Sequence, residues 1–179
     1  MIKISSTTKV LGILVLFLNL FSSAAAFARL QSGLLYDQWY TVAMNKTQIV
    51  AYYNERVDVT PSEISVHVQM FKKNSAGVVV QEHIEAVAKN DLGLTPIRFQ
   101  SVTDALKTNG QFVGNTLKLR SVPKSGSIRE KQIGVSDTAF LSALLPVWVS
   151  LRFSGLNIGQ PRPLNSIIEN NPDFEYRGV

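Results

Sequence analysis

The chain has 179 residues, no cysteine, a net charge of +5, 45% hydrophobic residues and a mean hydropathy of +0.10. Those values suit one globular domain and exclude a disordered, collagen-like or polytopic membrane chain. Without cysteine there are no disulfides, thiolate metal sites, cysteine nucleophiles or lipid attachment at cysteine, and the charge is too mild to argue for nucleic acid.

Residues 1–10 carry two lysines and no acid. Residues 11–21 (LGILVLFLNLF) form an apolar run, and Ala24, Ala26 and Ala28 space small residues in an A-x-A pattern. Basic, apolar and small regions in that order predict a cleavable secretory signal. The apolar run is well short of the ~20 residues needed to span a bilayer core. Cleavage is expected after Ala28, leaving one β-rich domain over residues 29–179 with a net charge of +3 and no transmembrane anchor. A cysteine-free exported domain fits a bacterial periplasm better than a small secreted scaffold, which usually needs disulfides. The expected location is periplasmic or secreted.

Two-residue alternation dominates residues 37–135 and predicts strands. They are expected at 39–44, 49–59, 64–70, 78–89, 96–103, 111–122 and 128–135. Pro61-Ser62, Asn74-Ser75-Ala76-Gly77, Asp91-Leu92-Gly93, Asn109-Gly110 and Pro123-Lys124-Ser125-Gly126 supply the turns. Short turns at this density give an antiparallel sheet of about seven or more strands, curved into a half-barrel or sandwiched.

The pattern changes at Ser136-Asp137, where either residue suits a helix N-terminus. Residues 139–153 are apolar nearly all round, with Phe140, Leu144, Trp148 and Leu151 on one helical face, so this helix is expected to be buried. Pro146 cannot donate to residue 142; the helix should kink there or restart with Pro146 in its first turn. Residues 164–169 and 174–176 are short strand candidates.

The search for catalytic chemistry returns little. His67 and His83 are the only histidines. They sit on strands flanking one turn, with Glu82 and Glu85 nearby, but without metal-ligand spacing they read as solvated cross-strand residues. There is no G-x-S-x-G, phosphate loop or dinucleotide fingerprint, and the carboxylates are too dispersed to single out a general acid–base pair. No catalytic residue, metal ligand or cofactor site is therefore assigned. Two features remain. Residues 118–131 hold five cations against Glu130 alone, and Lys118, Arg120 and Lys124 would form a rim for anionic groups. The apolar stripe of Phe140, Leu144, Trp148 and Leu151 would cover either a filled core or a cavity for an apolar ligand, or meet a partner.

Several short motifs follow in order: Leu94-Thr95-Pro96-Ile97-Arg98-Phe99, a strand pair with Gly110, Gly114, Leu117 and Leu119, Phe140-Leu141-Ser142-Ala143-Leu144-Leu145-Pro146, and Gly155-Leu156-Asn157-Ile158-Gly159. With Trp39-Tyr40 opening the first strand, the chain resembles the β-rich domain that precedes transglutaminase-like cores in exported bacterial proteins. In architecture it also resembles, more loosely, the LolA/LolB-type half-barrels that hold lipid acyl chains. That transglutaminase-like core uses Cys, His and Asp; with no cysteine here, no catalytic residue carries over. The resemblance implies a non-catalytic binding or accessory domain of the cell envelope, standing alone. The expected partner is an envelope protein or an apolar ligand. A periplasmic carrier of an acyl or lipid ligand, with a cavity lined by Val66, Val68, Ile84, Phe99, Leu144 and Trp148, is the first alternative. An enzyme with an unrecognised site is the second.

Overall fold

The computed structural model describes residues 30–44, 48–74, 76–152, 164–169 and 175–178. The expected leader at residues 1–28 and the Gly155–Gly159 motif lie outside these. Eight strands follow one another along the chain: β1 (Gly33–Met44), β2 (Gln48–Val59), β3 (Glu63–Lys73), β4 (Val79–Lys89), β5 (Pro96–Val102), β6 (Leu106–Val113), β7 (Thr116–Pro123) and β8 (Arg129–Gly134). Each pairs antiparallel with the next, and β1 and β8 remain edges. The fold is thus an open antiparallel meander of the expected curved or half-barrel class.

Alternation explains why these segments are strands, and the register explains the core. Residues directly opposite in an antiparallel pair share a sheet face. One row therefore runs across all eight strands as Tyr36, Val57, Val66, Ala86, Phe99, Gly110, Leu119 and Lys131. Its middle is sealed: Val57, Val66 and Ala86 have no exposed surface. Ile64 and Ala88, one row along on the same face, are equally buried.

The cover over this face comes from the last part of the chain. Phe140–Leu141 form β9, a 3-10 turn spans Ser142–Leu144, and α1 runs from Leu145 to Arg152. The turn packs against β3 and β4. Strand β10 (Leu164–Ile167) pairs parallel to β9 and antiparallel to β11 (Glu175–Gly178), making a second, three-stranded sheet. Phe140, Leu141, Leu144 and Val147 are at most 1% exposed. The Phe140 ring stacks on Trp148 at 5.5 Å.

Two expectations are corrected here. A continuous helix over 139–153 does not form, because the backbone of Phe140 and Leu141 pairs with Ser166 and Ile167. The helix starts at Leu145 with Pro146 in its first turn, the second of the two outcomes expected for this proline, where a missing N–H costs nothing. It is covered on one side only, Leu145 being 38% exposed.

The second correction concerns Asn109-Gly110, expected as a turn. Both residues lie inside β6, opposite Gln100 and Phe99. A Cβ on Gly110 would lie 2.1 Å from Cε1 of Phe99. The glycine is there for close approach of the ring to the backbone, a recognised use within strands. The real turns are at Thr103–Leu106, whose backbone groups hydrogen-bond at 2.9 Å, and at Gly114, whose φ of +57° is left-handed. The expected strand over 111–122 is thereby divided between β6 and β7, which raises the strand number to eight.

Glu169 ties the second sheet to the start of the helical segment. Its carboxylate accepts from the Ser142 hydroxyl and, at 3.0 Å, from the Ala143 N–H. The residue is only 1% exposed, and that burial pushes its pKa up despite the two hydrogen bonds.

Candidate functional site

The opposite face of the sheet has a different character. One residue along from the core row, the register lines up Asp37, Arg56, His67, Glu85, Gln100, Asn109, Arg120 and Glu130. All eight strands contribute, and every residue in the row is polar. A single period-2 pattern thus gives a hydrophobic row and a polar ladder back to back.

The ladder is internally matched. Gln100 donates to Asn109 at 2.8 Å, and Arg120 lies 3.6 Å from Glu130. Arg56 grips Asp58 with two bonds of 2.7 and 2.9 Å, and this pairing holds the Asp58 carboxyl below the usual range. Arg98, one row away, reaches Glu85 at 3.7 Å and Glu63 at 4.0 Å. Val87, two residues after Glu85 on β4, is opposite Arg98 and fully buried. The long stem of an arginine can cover such a residue while its head stays wet.

Toward β8 the polar face forms a basin of about 820 Å³. Two rows line it: Arg98, Gln111, Lys118 and Gln132 form one, and Asn109, Arg120 and Glu130 belong to the other. Gly110, Leu119 and Lys131 of the intervening row lie between them, and Ile97 and Phe112, of the covered-face parity, complete the lining. Of the expected anionic-group rim, Lys118 and Arg120 are brought together here and Arg98 joins them. Lys124 is not part of this lining; it follows the end of β7, its N–H donating to the Ala105 carbonyl at 2.8 Å. Sequence reasoning missed Arg98 and the amides because they are distant in sequence. Period-2 parity alone does put Arg98, Gln100, Lys118 and Arg120 on alternate positions of their strands.

Toward β1 the surface turns aromatic. Trp39 and Tyr52 are 63% and 49% exposed, and the Trp39 ring stacks on Phe71 at 6.0 Å. Tyr52 and Phe71 also line a smaller basin of about 380 Å³, with Ile49 and Val79. A sequence signal existed: residues 34–42 carry apolar or aromatic side chains at both parities, interrupted only at Asp37, Gln38 and Thr41, as in a strand without a fully solvated face.

On the covered face the same end of the sheet holds a tyrosine group. Tyr36 donates to the buried Glu55, and Tyr40 stacks on Tyr53 at 4.7 Å. Burial, then the hydrogen bond and charge of Glu55, push the Tyr36 hydroxyl far above its ordinary pKa. Tyr53 shifts the same way, chiefly by burial. Both hydroxyls therefore hold their protons more tightly than usual, and that of Tyr36 donates to Glu55.

The apolar stripe does not form a surface. Phe140 and Leu144 are core residues at 1% and 0% exposure, while Trp148 and Leu151 are half-buried. The expected cavity lining is likewise packed in its middle: Val66, Phe99 and Leu144 are at most 3% exposed. Neither basin described above touches them.

Among the described residues one group has the donor set for a metal. The ligand atoms of His67, His83 and Glu85 all lie within 4.8 Å of one another. No helix among the described residues is long and apolar enough to cross a membrane. No protein family, curated protein or solved structure matches this chain.

Proposed function

We propose that this chain is an exported, non-catalytic binding domain of the bacterial cell envelope, and that its basin between β5 and β8 receives acidic groups of an envelope polymer or protein. The observation that carries the reading is the pair of polar rows over Arg98, Lys118 and Arg120. Three cations supply the charge, Arg98 while also paired with Glu85 and Glu63 and Arg120 while also paired with Glu130. The carboxamide N–H groups of Asn109, Gln111 and Gln132 supply donors to a bound carboxylate or phosphate. The packed middle of the covered face favours surface binding over storage of an apolar ligand inside.

The test is binding of fluorescent dextran sulfate and of poly-glutamate by the full chain, at several salt concentrations. Affinity should fall as salt rises. The double variant Lys118→Glu, Arg120→Glu should weaken binding by more than tenfold, at about 1 kcal/mol per cation near a charged surface. Lys124→Glu should change it little. Equal loss from Lys124→Glu, or no loss from the double variant, refutes the assignment of the basin. Sequencing the N-terminus of the exported form tests the compartment: it should start at Arg29, and an intact Met1 overturns the export reading.

A further inference from the structure

We propose that His67, His83 and Glu85 form a site for a zinc-class divalent ion on the polar face of the sheet, beside the basic basin, with none of the three in its lining. The geometry comes from the β3–β4 register. His67 stands directly opposite Glu85, and His83 is two residues before Glu85 on the same strand. All three are half-buried, and their ligand atoms lie within 4.8 Å of one another. Tetrahedral bonds of about 2.0–2.1 Å place donor atoms about 3.3 Å apart, so side-chain rotation closes the set without moving the backbone. Two imidazoles and one carboxylate, with one position left for water, are a donor set suited to zinc and neighbouring transition ions.

The surroundings support the charge. Arg56 is held by Asp58, and Arg98 by Glu63 and Glu85, so two guanidiniums face three carboxylates. An added dication therefore meets a net negative group. Arg98 also pairs with Glu85 at 3.7 Å from the outer side, where a charged neighbour can bias the orientation of a ligand. A single carboxylate with two imidazoles is a poor match for calcium or magnesium, which prefer a cage of oxygens.

The chain has only these two histidines and no cysteine, which makes the test clean. Zinc is titrated into the untagged full chain by calorimetry, with the imidazole nitrogens followed by NMR. One ion per chain should bind, both imidazoles should shift together, and magnesium should have no effect. His67→Ala and His83→Ala should each weaken binding by at least the about tenfold that loss of an outer partner costs, and Glu85→Gln should weaken it too. Far-UV circular dichroism checks that the variants fold. The wild-type NMR response stands independently of them. Absence of zinc binding, a shift of one imidazole alone, or binding that survives either histidine substitution in a folded variant overturns the site.

Discussion

Replacing Gly110 with alanine sets two opposing effects against each other. Alanine in a strand interior is ordinarily favoured over glycine by about 0.5–1 kcal/mol, since glycine loses more conformational freedom on folding. Here the added methyl would sit 2.1, 2.5 and 2.6 Å from three atoms of the Phe99 ring. No carbon–carbon contact survives at those distances, so the ring must swing away. It has little room: Phe99 is 3% exposed, faces fully buried Ala86 and lies 6.4 Å from the Phe112 ring. Overpacking of this kind costs about 1–3 kcal/mol. The clash should prevail, leaving a net loss of about 1–2 kcal/mol. In urea, with a slope of about 1–3 kcal/mol/M, the midpoint should fall by about 0.3–2 M at constant slope. A second substitution identifies the cause. Phe99→Leu removes the ring, so Gly110→Ala should cost less in that background, with a coupling of about 1 kcal/mol. If Gly110→Ala is neutral or stabilising, or if the two effects simply add, the packing of Phe99 over Gly110 is wrong.

Adjacent residues at the start of α1 should respond oppositely: Leu144→Ala should cost about 2–5 kcal/mol and Leu145→Ala under about 0.5. Chemical melts of both decide it, and similar losses would mean that the helix is rotated. For Glu169, burial raises the pKa in the folded chain, so between the ordinary and the raised value the folded state holds a proton that the unfolded state has lost. Its contribution to stability is full below the ordinary carboxylate range, falls as pH rises through that window, and is level above it. Urea midpoints from acid to neutral pH should show Glu169→Gln gaining on the parent as pH rises; a flat or opposite difference refutes the burial argument. Tyr36→Phe should strand the buried Glu55 carboxylate and destabilise by about 1–3 kcal/mol. A loss under about 0.5 kcal/mol would show that Glu55 finds water instead.

The sheet was legible because its strands obey one rule. Ile64, Val66 and Val68 alternate with Ser65, His67 and Gln69, and that parity places each side chain on one face wherever the neighbours pair. The same rule failed at residues 109–110, where a strong turn dipeptide is held in a strand by the ring above it. It also failed at residues 139–153, where helix periodicity was real for Leu144, Val147 and Leu151 but reached too far back. There Phe140 and Leu141 are claimed by a strand more than twenty residues later in the chain, and no local preference reports that.

The site was less legible for a related reason. Lys118 and Arg120 stood out because they are close in sequence, and so did Lys124, yet proximity in sequence selects for one strand and its turn. A binding surface on an antiparallel sheet runs at right angles to that. Its members, such as Arg98, Gln111, Lys118 and Gln132, are drawn from four strands and meet only through register. Turn lengths set register, and the turn after β6 is the one that the dipeptide at Asn109-Gly110 obscured. Placing that turn at Gly114 sets Arg120 opposite Asn109 and brings Lys118 into line with Arg98 through Gln111. One misplaced turn in the sequence reading was therefore enough to hide the arginine that completes the basin, and it took Asn109 out of the strand that carries it.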